Sequence, residues 1–131
     1  MNRFLFHMQV FSEDTDSFGI VHHANYIKFM ERARLVWLLK LGVRLDDLLA
    51  RGIFFVIKQI EIEYVKPARL YDELEIESCI VTKRRVAKTY KQTIRCQKDP
   101  ALIYCIAKVH VVCVDNKMRP QSMPLEIMEK I

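Results

Sequence analysis

The sequence predicts an α+β fold in which a five-stranded antiparallel sheet wraps around one long helix. Three observations carry that expectation. Residues 24–41 repeat apolar side chains at helical spacing, and five other segments alternate apolar with polar residues as half-buried strands do. The chain has 131 residues, with no internal repeat and no low-complexity tract, which suits one domain, 1–131, around one core.

Residues 4–11 form the first expected strand, with Phe4, Phe6, Met8 and Val10 on one face. A polar connection, 12–19, leads to the helix. There Tyr26, Met30, Ala33, Trp37 and Leu41 make one stripe. Leu35, Leu38 and Leu39 lie partly on the other side, which predicts burial around most of the C-terminal half. Gly42 suits the helix end, and a short helical turn at 46–50 ends at Gly52. Four strands follow, joined by tight turns. In 53–67, Ile60, Ile62 and Tyr64 oppose Glu61 and Glu63. In 72–83, Leu74, Ile76, Ser78 and Ile80 oppose Glu73, Glu75 and Glu77. In 86–97, Tyr90, Gln92, Ile94 and Cys96 oppose Thr89, Lys91, Thr93 and Arg95. The last strand, 102–115, is apolar on both faces, as a central strand is. The tail, 121–131, adds a short helix.

Hydrophobic residues make up 51% of the chain, which excludes a disordered protein and suggests that another subunit, a ligand or both cover some of the surface. No apolar run is long enough to span a bilayer and no secretory signal is visible, so a cytoplasmic protein is expected. Cysteines 79, 96, 105 and 113 form no C-x-x-C pair and read as reduced, packed thiols; no metal or cofactor is implied. The net charge of +5 suits an anionic partner. The basic run 83–91 reads as a solvated turn between strands, and no nucleic-acid-binding motif accompanies it. Lys66, Arg69, Arg84 and Arg85 are the candidate contacts for ligand phosphates.

Chemistry concentrates at the approach to the helix, "EDTDSFGIVHHANYIKFMERAR". The first N–H groups of a helix lack internal acceptors and sit at the positive end of its dipole, ready for an anion or a developing oxyanion. A carboxylate beside such amides is the minimum for hydrolysing an activated acyl group. Asp14 and Asp16 both qualify, and the residues alone do not choose between them. Either can instead cap the helix or its approach, as Asn25 also can. Glu31 and Arg34 are spaced to pair on the helix, and Asp72 to shape a turn.

That stretch resembles the signature of the 4-hydroxybenzoyl-CoA thioesterase family of hotdog-fold proteins, in its YbgC-like acyl-CoA thioesterase branch. Asp14, Thr15, Asp16, Gly19, Val21, His23, Tyr26, Glu31, Ala33 and Arg34 match it. A second match, 64–76 ("YVKPARLYDELEI"), resembles the family's Y-x-x-P-A-x-x-x-D-x-L segment. The resemblance implies a hotdog fold, hydrolysis of acyl-CoA or acyl-carrier-protein thioesters, and active sites at the interface of a homodimer or dimer of dimers. It places the catalytic carboxylate at Asp16 and the carbonyl-polarising amide at His23, whose ring also counts as an active-site group. Gly19, Val21, His22 and Tyr26 become candidate substrate contacts. One departure stands out: Ser12 occupies a position where the branch commonly has tyrosine. Two other readings are a hotdog dehydratase acting on 3-hydroxyacyl thioesters and a non-catalytic acyl-thioester sensor. The D-T-D run favours hydrolysis, and the short chain disfavours a sensor with a DNA-binding segment.

Overall fold

The computed structural model describes residues 2–130. Met1 and Ile131, the latter the last residue of the expected tail helix, lie outside the described residues. In chain order the elements are β1 (Arg3–Gln9), α1 (Asn25–Lys40), α2 (Leu45–Ala50), β2 (Phe54–Tyr64), β3 (Glu73–Lys83), β4 (Ala87–Cys96), β5 (Ile103–Val114) and α3 (Leu125–Lys130). The five strands form one sheet in the order β1-β3-β4-β5-β2, and every neighbouring pair is antiparallel.

The period-two pattern of each strand becomes an inner face against α1 and an outer face turned away from it. Leu74, Ile76, Tyr90, Ile94, Cys105, Ala107 and Val109 are buried, and from the helix so are Tyr26, Phe29, Met30, Ala33 and Trp37. Trp37 stacks on Phe4 at 6.0 Å and meets Tyr90 edge-on at 6.2 Å, tying both halves of the sheet to one helical turn.

Several expectations change. α1 runs for 16 residues, one shorter at each end than the expected 24–41, and the short helices expected at 46–50 and in the tail accompany it as six-residue α2 and α3. Its C-terminal half is not buried all round, because Leu39 faces outward while Leu38 faces the sheet. Arg34 does not pair with Glu31; it is buried and donates from Nη1 to Gln92 Oε1 at 2.9 Å. β2 and β3 are not joined by a tight turn. Residues 65–72 cross over and deliver β3 beside β1, which leaves β2 on an edge. The outer face of β5 is apolar at Tyr104, Ile106, Val112 and Val114 but is interrupted by exposed Lys108 and half-buried His110, the latter bonded to Thr89 and Glu61. On β3 and β4 the outer face is a polar lattice in which Arg95 bridges Glu75 and Glu77.

Candidate active site

Local chemistry folds the approach to α1 into a small hairpin. After β1, residues Ser12–Asp14 make one 3₁₀ turn, and the Asp14 carboxylate accepts the Phe11 N–H at 3.0 Å. The turn ends the strand's alternation after Val10, and Ser12 is exposed. The chain then doubles back. Thr15 pairs with Val21, Asp16 N–H donates to Ile20 O at 2.9 Å, and His22 N–H donates to Asp14 O at 3.0 Å. Gly19, at φ +73°, lets the tip close, with its N–H on Asp16 O. Val21 is the buried anchor.

The hairpin separates the two aspartates by role. Asp14 is committed to architecture: its carboxylate holds the 3₁₀ turn, and its carbonyl also accepts the Asn25 side-chain amide at 3.2 Å. Asn25 therefore tethers the first turn of α1 to the hairpin rather than capping the helix. Asp16 is half-buried, and its Oδ1 accepts the Phe18 N–H at 2.8 Å. Its Oδ2 has no hydrogen-bond partner among the described residues. One oxygen fixes the carboxylate and the other stays available.

Past the hairpin the chain enters α1 through two histidines with stacked rings, 4.3 Å between centroids. His22 Nδ1 accepts the Ala24 N–H at 3.2 Å, and His22 O accepts the Asn25 N–H at 2.8 Å. The His23 N–H has no acceptor among the described residues, so the amide singled out at the helix entry is left unpaired. The His23 ring is exposed, and its carbonyl accepts the Tyr64 hydroxyl at 2.9 Å.

A cleft of about 240 Å³ opens beside this entry, lined by Ile20, Val21, His23, Tyr26, Tyr64 and Lys66 among others. Tyr26 is the buried floor: its hydroxyl accepts the Ala68 N–H at 3.0 Å, and burial raises its pKa above the ordinary 10.0. Val21 N–H donates to Ala68 O and Leu70 N–H to Gly19 O, so the second motif is strapped across the first. Asp72 shapes the end of that strap, accepting from Arg69 N–H and the Tyr104 hydroxyl.

The structure thus gathers Val21, His23 and Tyr26 around one cleft, with Asp16 and Gly19 in the hairpin beside it and His22 stacked on His23. It adds Tyr64, which sequence reasoning left out of the site, and brings Lys66, one of the candidate phosphate contacts, to the same lining. Their signal was the second motif, which was legible but had no visible partner until the crossover laid it on the hairpin. Arg84 and Arg85 are not brought there. They follow β3, whose 11 residues run roughly 30 Å from the crossover to the far end of the sheet. There Arg85 Nη1 donates to Ser122 Oγ.

The family model of the thioesterase-like superfamily matches residues 10–131. The chain belongs to that superfamily. Among its relatives, the acyl-CoA thioester hydrolase YbgC of Escherichia coli O157:H7 is 39% identical over 131 residues, 98% of this chain and 96% of the other. The acyl-CoA thioesterase YbgC of Haemophilus influenzae is 35% identical, covering 96% and 92%. Solved thioesterase folds superpose closely. A probable thioesterase from Bartonella henselae gives a TM-score of 0.85 at 29% identity, over 93% of this chain and 99% of that one. A 1,4-dihydroxy-2-naphthoyl-CoA thioesterase from Synechocystis gives 0.93 at 20% identity, over 98% and 95%, a likeness of fold.

Proposed function

We propose that this chain, acting as one hotdog domain, hydrolyses acyl-CoA thioesters to the free acid and thiol. The carrying observation is the unpaired His23 N–H at the start of α1, next to a hairpin that pins one oxygen of Asp16 and leaves the other free. In this reading the thioester carbonyl oxygen takes the His23 N–H. Asp16 either takes the proton of a water that attacks the carbonyl carbon and expels the thiolate, or attacks that carbon itself, expelling the thiolate and forming an acyl-aspartyl anhydride that water then cleaves to the free acid and the restored carboxylate. A positioned base contributes about 10²–10⁴-fold and one oxyanion donor about 10²–10³-fold, which suits an acyl group already activated as a thioester. The names of the YbgC relatives support acyl-CoA as the thioester; an acyl carrier protein, acidic against a chain of net charge +5, is the second donor to try.

The reading includes a second copy of the chain. β2 is an edge strand, and Ile57 and Tyr64 along it and Val65 just past it stand exposed, with the His23 cleft opening at that end. Pairing two copies along β2 would cover those residues and complete the cleft, and a dimer of dimers would extend it. The four free thiols fit a reducing, cytoplasmic setting. Among the described residues no helix is long and apolar enough to cross a membrane.

Thiol release from a panel of acyl-CoAs tests the proposal, using the wild type and Asp16→Asn. Asparagine keeps the acceptor that holds Phe18 N–H, so the hairpin survives and only the charge is lost. A fall of about 10²–10⁴-fold in kcat/KM is expected. Unchanged turnover would remove Asp16 from the mechanism, and no thiol release from any acyl-CoA by the wild type would leave only a binding protein.

A further inference from the structure

A second concavity, of about 140 Å³, lies between the middle of α1 and the sheet, with Leu35, Leu38, Phe55 and Val111 among its apolar walls. Arg34, also on its lining, sits roughly 16 Å further along the helix than His23. The cavity is thus separate, within one chain, from the cleft at the helix entry. Its unusual member is Lys88. This lysine is 3% exposed, and its Nζ lies 5.6 Å from the Phe55 ring centre and 5.0 Å from that of Tyr90, both lining residues. The ammonium has no hydrogen-bond partner among the described residues.

Burying an unpaired ammonium costs several kcal/mol, and cation–π contacts return only about 0.5–2. A second buried cation, Arg34, lines the same space, with one N–H occupied by Gln92. The acid on the lining, Glu31, is exposed and makes no ion pair with either cation among the described residues. Two buried cations therefore face this space against one exposed acid. Desolvation, then repulsion from Lys83 and Arg34, pulls Lys88 down to about 8, with Cys113 acting weakly the other way; a bound anion would reverse that.

We propose that this cavity binds a compact apolar molecule ending in a single carboxylate, with the carboxylate on Lys88 and the body against Leu35, Leu38, Phe55 and Val111. An apolar cavity of about 150 Å³ accommodates one benzene ring, so the body is a small ring or a chain of about six carbons. A phosphate fits poorly, because a dianion needs more donors than one free ammonium and a partly committed guanidinium. The source is either a free acid or the far end of an acyl chain whose thioester end is held elsewhere.

Hexanoate and hexanamide, matched in shape, are titrated calorimetrically into the full chain. Hexanoate should bind once per chain and at least tenfold more tightly than the amide. Lys88→Met, an apolar replacement of similar length, should abolish that preference, with its thermal midpoint reporting that it folds. Leu35→Trp, which fills the cavity and keeps the charge, should abolish hexanoate binding. Equal affinity for acid and amide, hexanoate preference surviving in Lys88→Met, or no saturation by hexanoate would each overturn the proposal. None of these readouts depends on thioester hydrolysis. Glutaryl-CoA and butyryl-CoA then separate the sources: preferential turnover of glutaryl-CoA, erased by hexanoate, supports the acyl-chain end. Saturable hexanoate binding without that preference supports the free acid.

Discussion

The entry of α1 and the space beneath its middle both hold polar groups, and the protein treats them in opposite ways. At the entry, Asp16 Oδ2 and the His23 N–H are unpaired where water can reach them, so leaving them free costs little stability. Beneath the helix, Gln92 is fully buried and saturated: it accepts from Arg34 and donates to Met30 O and Ser78 Oγ, each near 2.9 Å. Lys88, two pleat repeats away on the same strand face, is buried without a partner. Unpaired groups at an accessible helix end are available for chemistry, whereas unpaired groups in the interior weigh on the fold unless a ligand satisfies them.

The sharpest break of that comparison is Gln92→Ala. Removing the amide strands a buried guanidinium, a carbonyl and a hydroxyl together, and the expected loss is about 3–5 kcal/mol in urea unfolding. The folded fraction should retain its kcat/KM on acyl-CoA, the reverse of the outcome expected for Asp16→Asn. Equal losses of activity in both variants would mean that interior and entry are one unit.

Lys88 gives a pH signature of the same contrast. Its folded pKa of about 8 lies below its ordinary value of 10.5, so the unfolded chain binds more protons between those limits. Stability therefore rises with pH as the native amine loses its proton, and the penalty is full below pH 8. Relative to Lys88→Met, the wild type should gain on the order of 3 kcal/mol between pH 8 and 10.5, read as the difference of two urea midpoint curves. A flat difference would show that the lysine is already solvated or paired.

How much of this was legible in the sequence differs between the two regions. The hairpin and helix entry could be anticipated because backbone rules act locally: a glycine closes the turn and the helix leaves its first amides open. Strand periods likewise gave five strands with nearly their observed ends. The crossover 65–72 was not legible, since nothing local says that β3 pairs with β1 rather than β2, and with it went the placement of Tyr64 and Lys66 in the cleft. Lys88 was misjudged as part of a solvated basic turn, although its alternation with Tyr90 and Gln92 placed it on the inner face. Composition outweighed parity there, and parity was right. Arg34 was missed for a related reason: spacing to Glu31 suggested a surface pair, while burial of the helix face handed it to Gln92.

At the entry, Gly19→Ala isolates backbone strain from packing. A Cβ at Gly19 would meet nothing within 4 Å, so its cost comes from φ +73° alone, about 1–2 kcal/mol. That strain falls on the hairpin that holds Asp16, so kcat/KM should drop along with the thermal midpoint. If activity stays while stability falls, the hairpin tip does not set the carboxylate.

Tyr64→Phe is the gentlest test and the most discriminating about position. The Tyr64 hydroxyl donates to the His23 carbonyl across an open cleft, and Tyr64 is 45% exposed, so water replaces the lost bond at a cost below about 1 kcal/mol. What the hydroxyl controls is orientation: it anchors the residue whose own N–H faces the proposed carbonyl site. A five-fold fall in kcat/KM corresponds to about 1 kcal/mol, so losses of that size, carried by kcat with KM little changed, are expected for a positioning residue. A collapse as deep as that of Asp16→Asn would instead mean that the hydroxyl touches the reacting atoms, and the oxyanion donor would have to be reassigned from the helix entry to the edge strand.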